Sequence, residues 1–369
     1  MPPYRADHVG SLLRPARLHD ARAKAQDKRL SAAELRAVED DCIREAVALQ
    51  EASGISAVTD GEFRRGHYLV DFLTAFSGIV PTQTSYALAF KGDDGASGET
   101  RSMLTVTSKV KRARPVMVED FKFLKAATKR TAKVCLPSPT WLHMRGGRKT
   151  VSESVYPDIE DFWRDTVQAF HEEIRDLAAA GCTYLQLDEI SFAFLCDATI
   201  RERVRADGLD PDDLTRKYAR VVNEIAAGAP PSMTVAVHTC RGNFQSMWMA
   251  EGSYDRVASI VFDQPDVDAY FLEYDSDRSG GFEPLKHIPK TKTVVLGLVS
   301  SKKPEIESKD AIKRRIDEAA KFFPLDKLCL SPQCGFASTH HGNKITEDIA
   351  RGKLALLVEV ANDVWGSAA

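Results

Sequence analysis

Short runs of apolar and β-branched residues alternate along the chain with longer stretches whose apolar positions recur at helical spacing. The short runs predict strands near 7–11, 55–60, 133–138, 183–188, 234–240, 269–274, 293–299 and 327–332. The longer stretches predict helices over 31–52, 158–180, 210–227 and 309–323. Ser31-Ala-Ala-Glu34 has the spacing of a capping box, in which each side chain bonds the other residue's backbone N–H. Asp158, Glu160 and Asp161 put negative charge at a helix N-terminus, and Gly181 after Ala180 supplies a left-handed stop. Strands joined by helical crossovers predict an α/β fold, a single (β/α)8 TIM barrel over residues 1–369.

The gap between the second and third predicted strands is too long for one crossover. Its centre, Gly92-Asp-Asp-Gly-Ala-Ser-Gly98, is flanked by alternating runs such as Leu104-Thr-Val-Thr-Ser-Lys-Val. That pattern predicts a β-hairpin within an insertion over about 66–128, followed by a helix from Val118. An insertion after a barrel strand lies on the face where barrel active sites are built, so it is expected to cover the site or to serve in oligomer contacts. The alternative is an open doubly wound sheet. No Gly-x-Gly-x-x-Gly follows a predicted strand, which argues against a nucleotide-binding version of it.

Composition narrows the classes. The chain has 369 residues, 43% of them hydrophobic, with 50 basic and 53 acidic residues well mixed and a formal net charge of -3. A nucleic-acid partner would call for a basic patch or stripe, and none is visible. No apolar stretch reaches the length of a membrane span, and Met-Pro-Pro-Tyr-Arg-Ala-Asp-His has no apolar signal core, so no membrane association and a cytoplasmic location are expected. Seven scattered cysteines do not read as a disulfide framework; Cys42, Cys135, Cys182, Cys196 and Cys329 read as buried small hydrophobes. The surface helices of a barrel commonly pair, which leaves room for a homo-oligomer.

The candidate chemistry sits at predicted strand ends. His238-Thr-Cys240 closes one β-branched run, Cys334 closes another, and Glu273 lies in Ala269-Tyr-Phe-Leu-Glu-Tyr-Asp. Alternate strand residues point the same way, about 6.5–7 Å apart, so His238 and Cys240 can reach one metal. Zinc takes His nitrogen, Cys sulfur and carboxylate oxygen; His238, Cys240 and Cys334 with Glu273 as a displaceable fourth would leave a position for a substrate sulfur. The competing reading is a core histidine beside buried thiols. Asp188-Glu189 ends the fourth strand and is suited to holding a substrate ammonium or to acting as acid and base; the competing reading is a helix N-cap. In Asp60-Gly-Glu62 the glycine permits a turn that aims Glu62 inward, and in His8-Val-Gly10-Ser11 it lets a ligand approach the backbone beside the Ser11 hydroxyl. Arg112, with Lys111 and Arg114, could meet an anionic tail of a donor or remain a solvated charge run. Trp141 could wall a flat ligand or pack in the core. His340-His341 are read as loop residues.

Taken together, His8-Val-Gly-Ser11, Asp60-Gly-Glu62, Leu185-Gln-Leu-Asp188-Glu189, His238-Thr-Cys240, Leu272-Glu273 and Ser331-Pro-Gln-Cys334-Gly335 resemble, in order and over nearly the whole chain, the catalytic C-terminal barrel of cobalamin-independent methionine synthase and its short single-barrel relatives. The resemblance implies Zn2+ on His238, Cys240, Glu273 and Cys334. It implies Asp188 and Glu62 on the amino group of homocysteine, and the Gly10-Ser11 turn near its carboxylate. The implied reaction is transfer of a methyl group from methyltetrahydrofolate, or another methyl donor, to homocysteine, giving methionine.

Two departures from the family pattern bear on the donor. Lys302 stands where a proton-donating histidine would align, and Phe192-Ala-Phe194 occupies the stretch of an acidic folate contact. A folate leaving group is poor unless protonated, so the carrier of the methyl group is open, a corrinoid protein or a small molecule being alternatives. A zinc-dependent alkyltransferase acting on a different thiol or donor, such as an epoxide, keeps the same ligands. A zinc hydrolase is disfavoured, because two thiolates make zinc a weaker Lewis acid. A metal-free barrel akin to the decarboxylases of the wider superfamily would have no use for these ligands.

Overall fold

The computed structural model describes residues 2–264 and 266–369, and the side chains of all of these except 84–88 and 100–102. Ten strands occur among them: β1 Ala57–Val58, β2 Ser77–Lys91, β3 Ser97–Lys111, β4 Thr131–Ala132, β5 Val134–Pro137, β6 Tyr184–Asp188, β7 Thr234–Thr239, β8 Ala269–Glu273, β9 Thr293–Val299 and β10 Leu328–Pro332. Strands β5 to β10 form a parallel sheet in sequence order. The short β1 pairs in parallel with β4, which leads straight into β5. The ring closes through the N-terminal segment: the Asp7 N–H donates to the Leu330 carbonyl and the Leu330 N–H to the Arg5 carbonyl. This is the expected α/β barrel.

The expected first strand, 7–11, is not a regular strand. Only Ala6 makes a bridge, to Leu330. The chain leaves the ladder after Asp7, and Gly10 adopts φ 131°; the Asp7 side chain points into the barrel. There Asp7 ion-pairs with Lys133 at 3.2 Å and accepts the Tyr184 hydroxyl at 2.8 Å, all buried inside the barrel. Lys133 separates β4 from β5, so the predicted 133–138 strand is β5, with the short β4 preceding it. The remaining barrel interior is filled by Val9, Ala57, Ala236, Ala269, Phe271, Val295 and Cys329, a packed core and not a channel.

The helices follow the sequence closely. Ala32–Ala52 starts at Ser31 with both capping-box bonds formed. Ile159–Ala179 is capped by Asp158, Pro211–Ala226 by Asp210, and Lys309–Ala320 ends short of Phe323. Each buries one stripe against the sheet, as their helical periodicity requires. The C-terminal helix Glu347–Trp365 and the N-terminal helix Ala16–Gln26 lie outside the predicted set. Among the described residues no helix is long and apolar enough to cross a membrane.

The insertion holds the expected hairpin. Strands β2 and β3 pair antiparallel and turn at Gly92–Gly95. At the base, Arg112 is clamped between Glu173 and Asp176 of the 159–179 helix, at 2.6 Å each. At the tip, Lys91 exchanges two backbone hydrogen bonds with Trp248, and Asp93 meets Arg278 and Lys303 at 3.0 Å each. The hairpin thus reaches across the barrel mouth and carries Phe90 over the cavity there.

Candidate metal and substrate site

The mouth holds a cavity of about 750 Å3, counted to its open rim. Strand ends deliver its polar floor: Asp188 from β6, His238 from β7, and Cys240 and Cys334 just past β7 and β10. The register sets this up, because Asp188 lies directly beside His238 in the ladder.

His238, Cys240 and Cys334 each place one ligand atom within 4.8 Å of the others, and the two sulfurs are 3.6 Å apart. All three are buried. Their charges are tightly linked. The hydrogen bond from Cys240, with His238 and Lys302 nearby, holds the Cys334 thiol well below the usual range against the opposing effect of burial. The same bond, with burial, pushes the Cys240 thiol up. Burial alone would lower the His238 pKa, yet Asp188 and Cys334 raise it to about 10. A divalent cation suits this donor set: it would release the protons on Cys240 and His238 and keep both sulfurs as thiolates.

Glu273, the fourth expected ligand, stands outside that three-atom group. Its Oε2 accepts the Arg241 N–H at 2.7 Å. Its buried Oε1 has no hydrogen-bond partner among the described residues, and Arg278 is 3.8 Å away. Burial opposes its ionisation, but Lys302, Arg241 and Arg278 hold it below the ordinary carboxylate range. An anionic carboxylate with one unpartnered oxygen fits a ligand that engages and leaves.

The Asp188 carboxylate accepts from Gln186 at 2.7 Å and from His238 Nδ1 at 3.0 Å, which fixes the imidazole, while Nε2 lies 3.3 Å from the Gln333 carbonyl oxygen. Glu62 approaches Asp188 and Cys135 within 4.8 Å. The turn that aims it is strained: Gly61 and Glu62 both have positive φ, 65° and 62°. Arg65 sits 3.3 Å from Glu62 Oε1, while Oε2 has no partner among the described residues. Desolvation raises the Glu62 pKa to about 7, Arg65 opposing and Asp188 adding to the rise. The native state therefore keeps a proton between pH 4.5 and about 7 that the unfolded chain has lost, so stability falls as pH rises through that window. Glu62→Gln is expected to flatten this fall; denaturant titrations at about pH 5 and about pH 8 check it, and an unchanged slope would refute it.

Ser11 lines the cavity, packed so close to Gly335 that a Cβ there would stand 1.9 Å from its hydroxyl oxygen. Gly10 lies just behind, not on the lining; a side chain there would meet the Cys135 sulfur at 2.7 Å. Trp141 lines the wall edge-on to Phe194 at 4.8 Å. Besides Gly10 and Glu273, three further expected residues lie off the cavity. Arg112 is a correction: its guanidinium is consumed by Glu173 and Asp176 at the hairpin base. Glu189 accepts from Thr140 at 2.5 Å and from the Ser191 N–H at 2.7 Å, so its carboxylate is engaged within the fold. Lys302 is buried behind Glu273, its ammonium balancing Glu273 and Asp275. Sequence reasoning missed Tyr68, Phe90, Arg145, Asn243 and Phe244, which line the cavity from loops, from the hairpin and, for Arg145, from the helix Thr140–Gly146. The one signal was the insertion's place on the catalytic face, and it bears on Tyr68 and Phe90 alone.

A mouth-facing cluster of this kind on this fold defines a barrel methyltransferase of methionine-synthase type. The chain belongs to the family described as cobalamin-independent synthase, catalytic domain, whose model matches residues 5–363. It is 42% identical to YxjG of Bacillus subtilis, described as uncharacterized, over 99% of this chain and 95% of that protein. A Listeria monocytogenes structure assigned as a vitamin-B12-independent methionine synthase matches with TM-score 0.75 and 34% identity over 99% of both chains. The 5-methyltetrahydropteroyltriglutamate–homocysteine methyltransferase of a Thermotoga species is 22% identical over 98% of this chain, which spans 45% of that protein's length.

Proposed function

We propose that this protein methylates the sulfur of a small thiol, homocysteine in the best-supported reading, to give methionine. The observation that carries it is the convergence of two thiols and an imidazole beside two carboxylates at the floor of one mouth cavity. His238, Cys240 and Cys334 would hold Zn2+, with Glu273 as the exchangeable fourth ligand. Zinc bound there supplies a lowered thiol pKa, which favours thiolate, the nucleophilic form.

The chain's own residues do the rest. Asp188 keeps the His238 ring in place and, with Glu62, presents negative charge to the acceptor's ammonium. Ser11 offers a hydroxyl beside it for the carboxylate. The Phe90 hairpin and Trp141 limit water above the sulfur. A different thiol would leave Glu62 and Asp188 without an ammonium to hold, so the two carboxylates favour an amino-acid acceptor over the alkyltransferase alternative.

Purified protein is expected to carry about one zinc per chain. X-ray absorption at the zinc edge should show one sulfur more and one oxygen fewer when homocysteine is added. An unchanged coordination sphere with homocysteine, alongside a shift with a thiol lacking the amino group, would overturn the acceptor assignment.

A further inference from the structure

A second cluster of charges centres on Arg278, in the loop after β8. Its Nη1 donates to the hairpin-tip carboxylate of Asp93 at 3.0 Å, and its guanidinium lies 5.1 Å from the centroid of the Trp248 ring. The Trp248 indole N–H donates to the same Asp93 oxygen at 3.0 Å. One end of Arg278 is therefore held by the hairpin and by the loop after β7. The other end, Nη2, faces two carboxylates at just over hydrogen-bond length, Glu273 Oε1 at 3.8 Å and Asp275 Oδ1 at 3.7 Å.

Glu273 Oε1, Asp275 Oδ1 and Arg278 Nε have no hydrogen-bond partner among the described residues. The side chains of Glu273, Asp275 and Arg278 are 0%, 2% and 10% exposed, so little solvent reaches them. Unmade bonds among buried charges are costly, which marks an arrangement that closes in another state of the site. Glu273 Oε2 is committed to the Arg241 N–H, so Oε1 is the oxygen left for a metal and also the one that faces Arg278. It cannot serve both at once.

Resting on the thiol-methylation reading above, we propose that Arg278 is the positioning residue that receives Glu273 when the acceptor sulfur displaces it from the metal. A thiolate taking the fourth position brings one negative charge in, and the displaced carboxylate carries one out with its electron pair; the thiol's proton leaves to solvent. The displaced carboxylate stays buried and needs a cation beside it. Closing the 3.8 Å gap to a charge-assisted bond of about 2.8 Å takes a shift of about 1 Å. Lys302, the other cation near Glu273, has an ammonium with no hydrogen-bond partner among the described residues, so it lacks the anchored geometry of Arg278.

The test uses the zinc-loaded full chain with Arg278→Gln and Arg278→Lys, titrated with homocysteine and with norleucine, an amino acid of similar shape that has no sulfur to bind zinc. Zinc content and the resting X-ray absorption spectrum should match wild type in both variants, because Arg278 is not a ligand. Calorimetry should show homocysteine affinity in Arg278→Gln falling roughly tenfold to a hundredfold, since a charge-assisted hydrogen bond of the exchanged state is lost. Norleucine leaves Glu273 in place and should bind within about twofold of wild type. Arg278→Lys keeps the cation and should recover part of the homocysteine loss. At a homocysteine concentration that converts the wild-type zinc sphere, Arg278→Gln should keep its oxygen ligand. Zinc loss from Arg278→Gln, or equal weakening of homocysteine and norleucine, makes Arg278 a structural residue and overturns this inference. Unchanged homocysteine affinity in Arg278→Gln overturns it too and leaves Lys302 as the receiver. These outcomes leave the thiol reading standing. Failure of homocysteine to alter the wild-type zinc sphere overturns the thiol reading itself, and the inference with it.

Discussion

Cys334→Ala is expected to leave the purified protein with little zinc and no thiol methylation. Cys334 is one of three close ligand atoms, and its sulfur is the one already held toward thiolate in the metal-free protein. Without it, a cation would have His238, Cys240 and the loosely placed Glu273, too few strong donors for a tetrahedral zinc site. Removing one thiol from a closed donor set sacrifices a large part of a binding energy that totals on the order of 10 kcal/mol or more for protein zinc sites. The fold should persist, because the cavity faces solvent and the barrel core lies below it. Cys182→Ala is the control: that thiol is equally buried but lies before β6, remote from the donor group, and should cost packing stability without metal. Metal analysis of both variants decides the matter, and full zinc occupancy in Cys334→Ala would reject the ligand assignment.

Much of this was legible because the relevant residues obey simple periodicities. Strand period and helix period separate cleanly from β5 to β10, and a barrel then brings every strand end to one mouth. That topology is what allowed His238, Cys240 and Cys334, far apart in the chain, to be expected together. The failures have physical causes of the same kind. The 7–11 run reads as a strand, but only its first residues pair with β10, and the chain turns away where Gly10 takes a positive φ. Arg112 looked free for an anionic ligand because its partners, Glu173 and Asp176, lie on a helix whose facing side cannot be read from its own spacing. A buried arginine with two carboxylates has no capacity left for a ligand. The aromatic wall was invisible for a third reason: Tyr68, Phe90 and Phe244 come from a turn, a hairpin and a loop, whose path is set by tertiary contacts such as Lys91 with Trp248.

Asp188→Asn separates the two tasks assigned to Asp188. The asparagine carbonyl oxygen can still accept from His238 Nδ1 and keep the ring oriented, so zinc content should hold close to the wild-type level. The charge facing the acceptor's ammonium is lost, and a charge-assisted hydrogen bond of about 1.5–3 kcal/mol goes with it. Homocysteine affinity should therefore drop roughly tenfold to a hundredfold. Asp188→Ala removes both tasks and should lower zinc affinity as well, because an unsupported His238 is free to turn away. A thiol without an amino group, such as 3-mercaptopropanoate, gives the internal contrast: its binding should be indifferent to Asp188→Asn or slightly improved, since the carboxylate it loses offered it nothing but repulsion. Calorimetric titration of both thiols into the two zinc-loaded variants reads this out. Unchanged homocysteine affinity in Asp188→Asn would place the acceptor's amino group elsewhere in the cavity and leave Asp188 as a histidine-orienting residue alone.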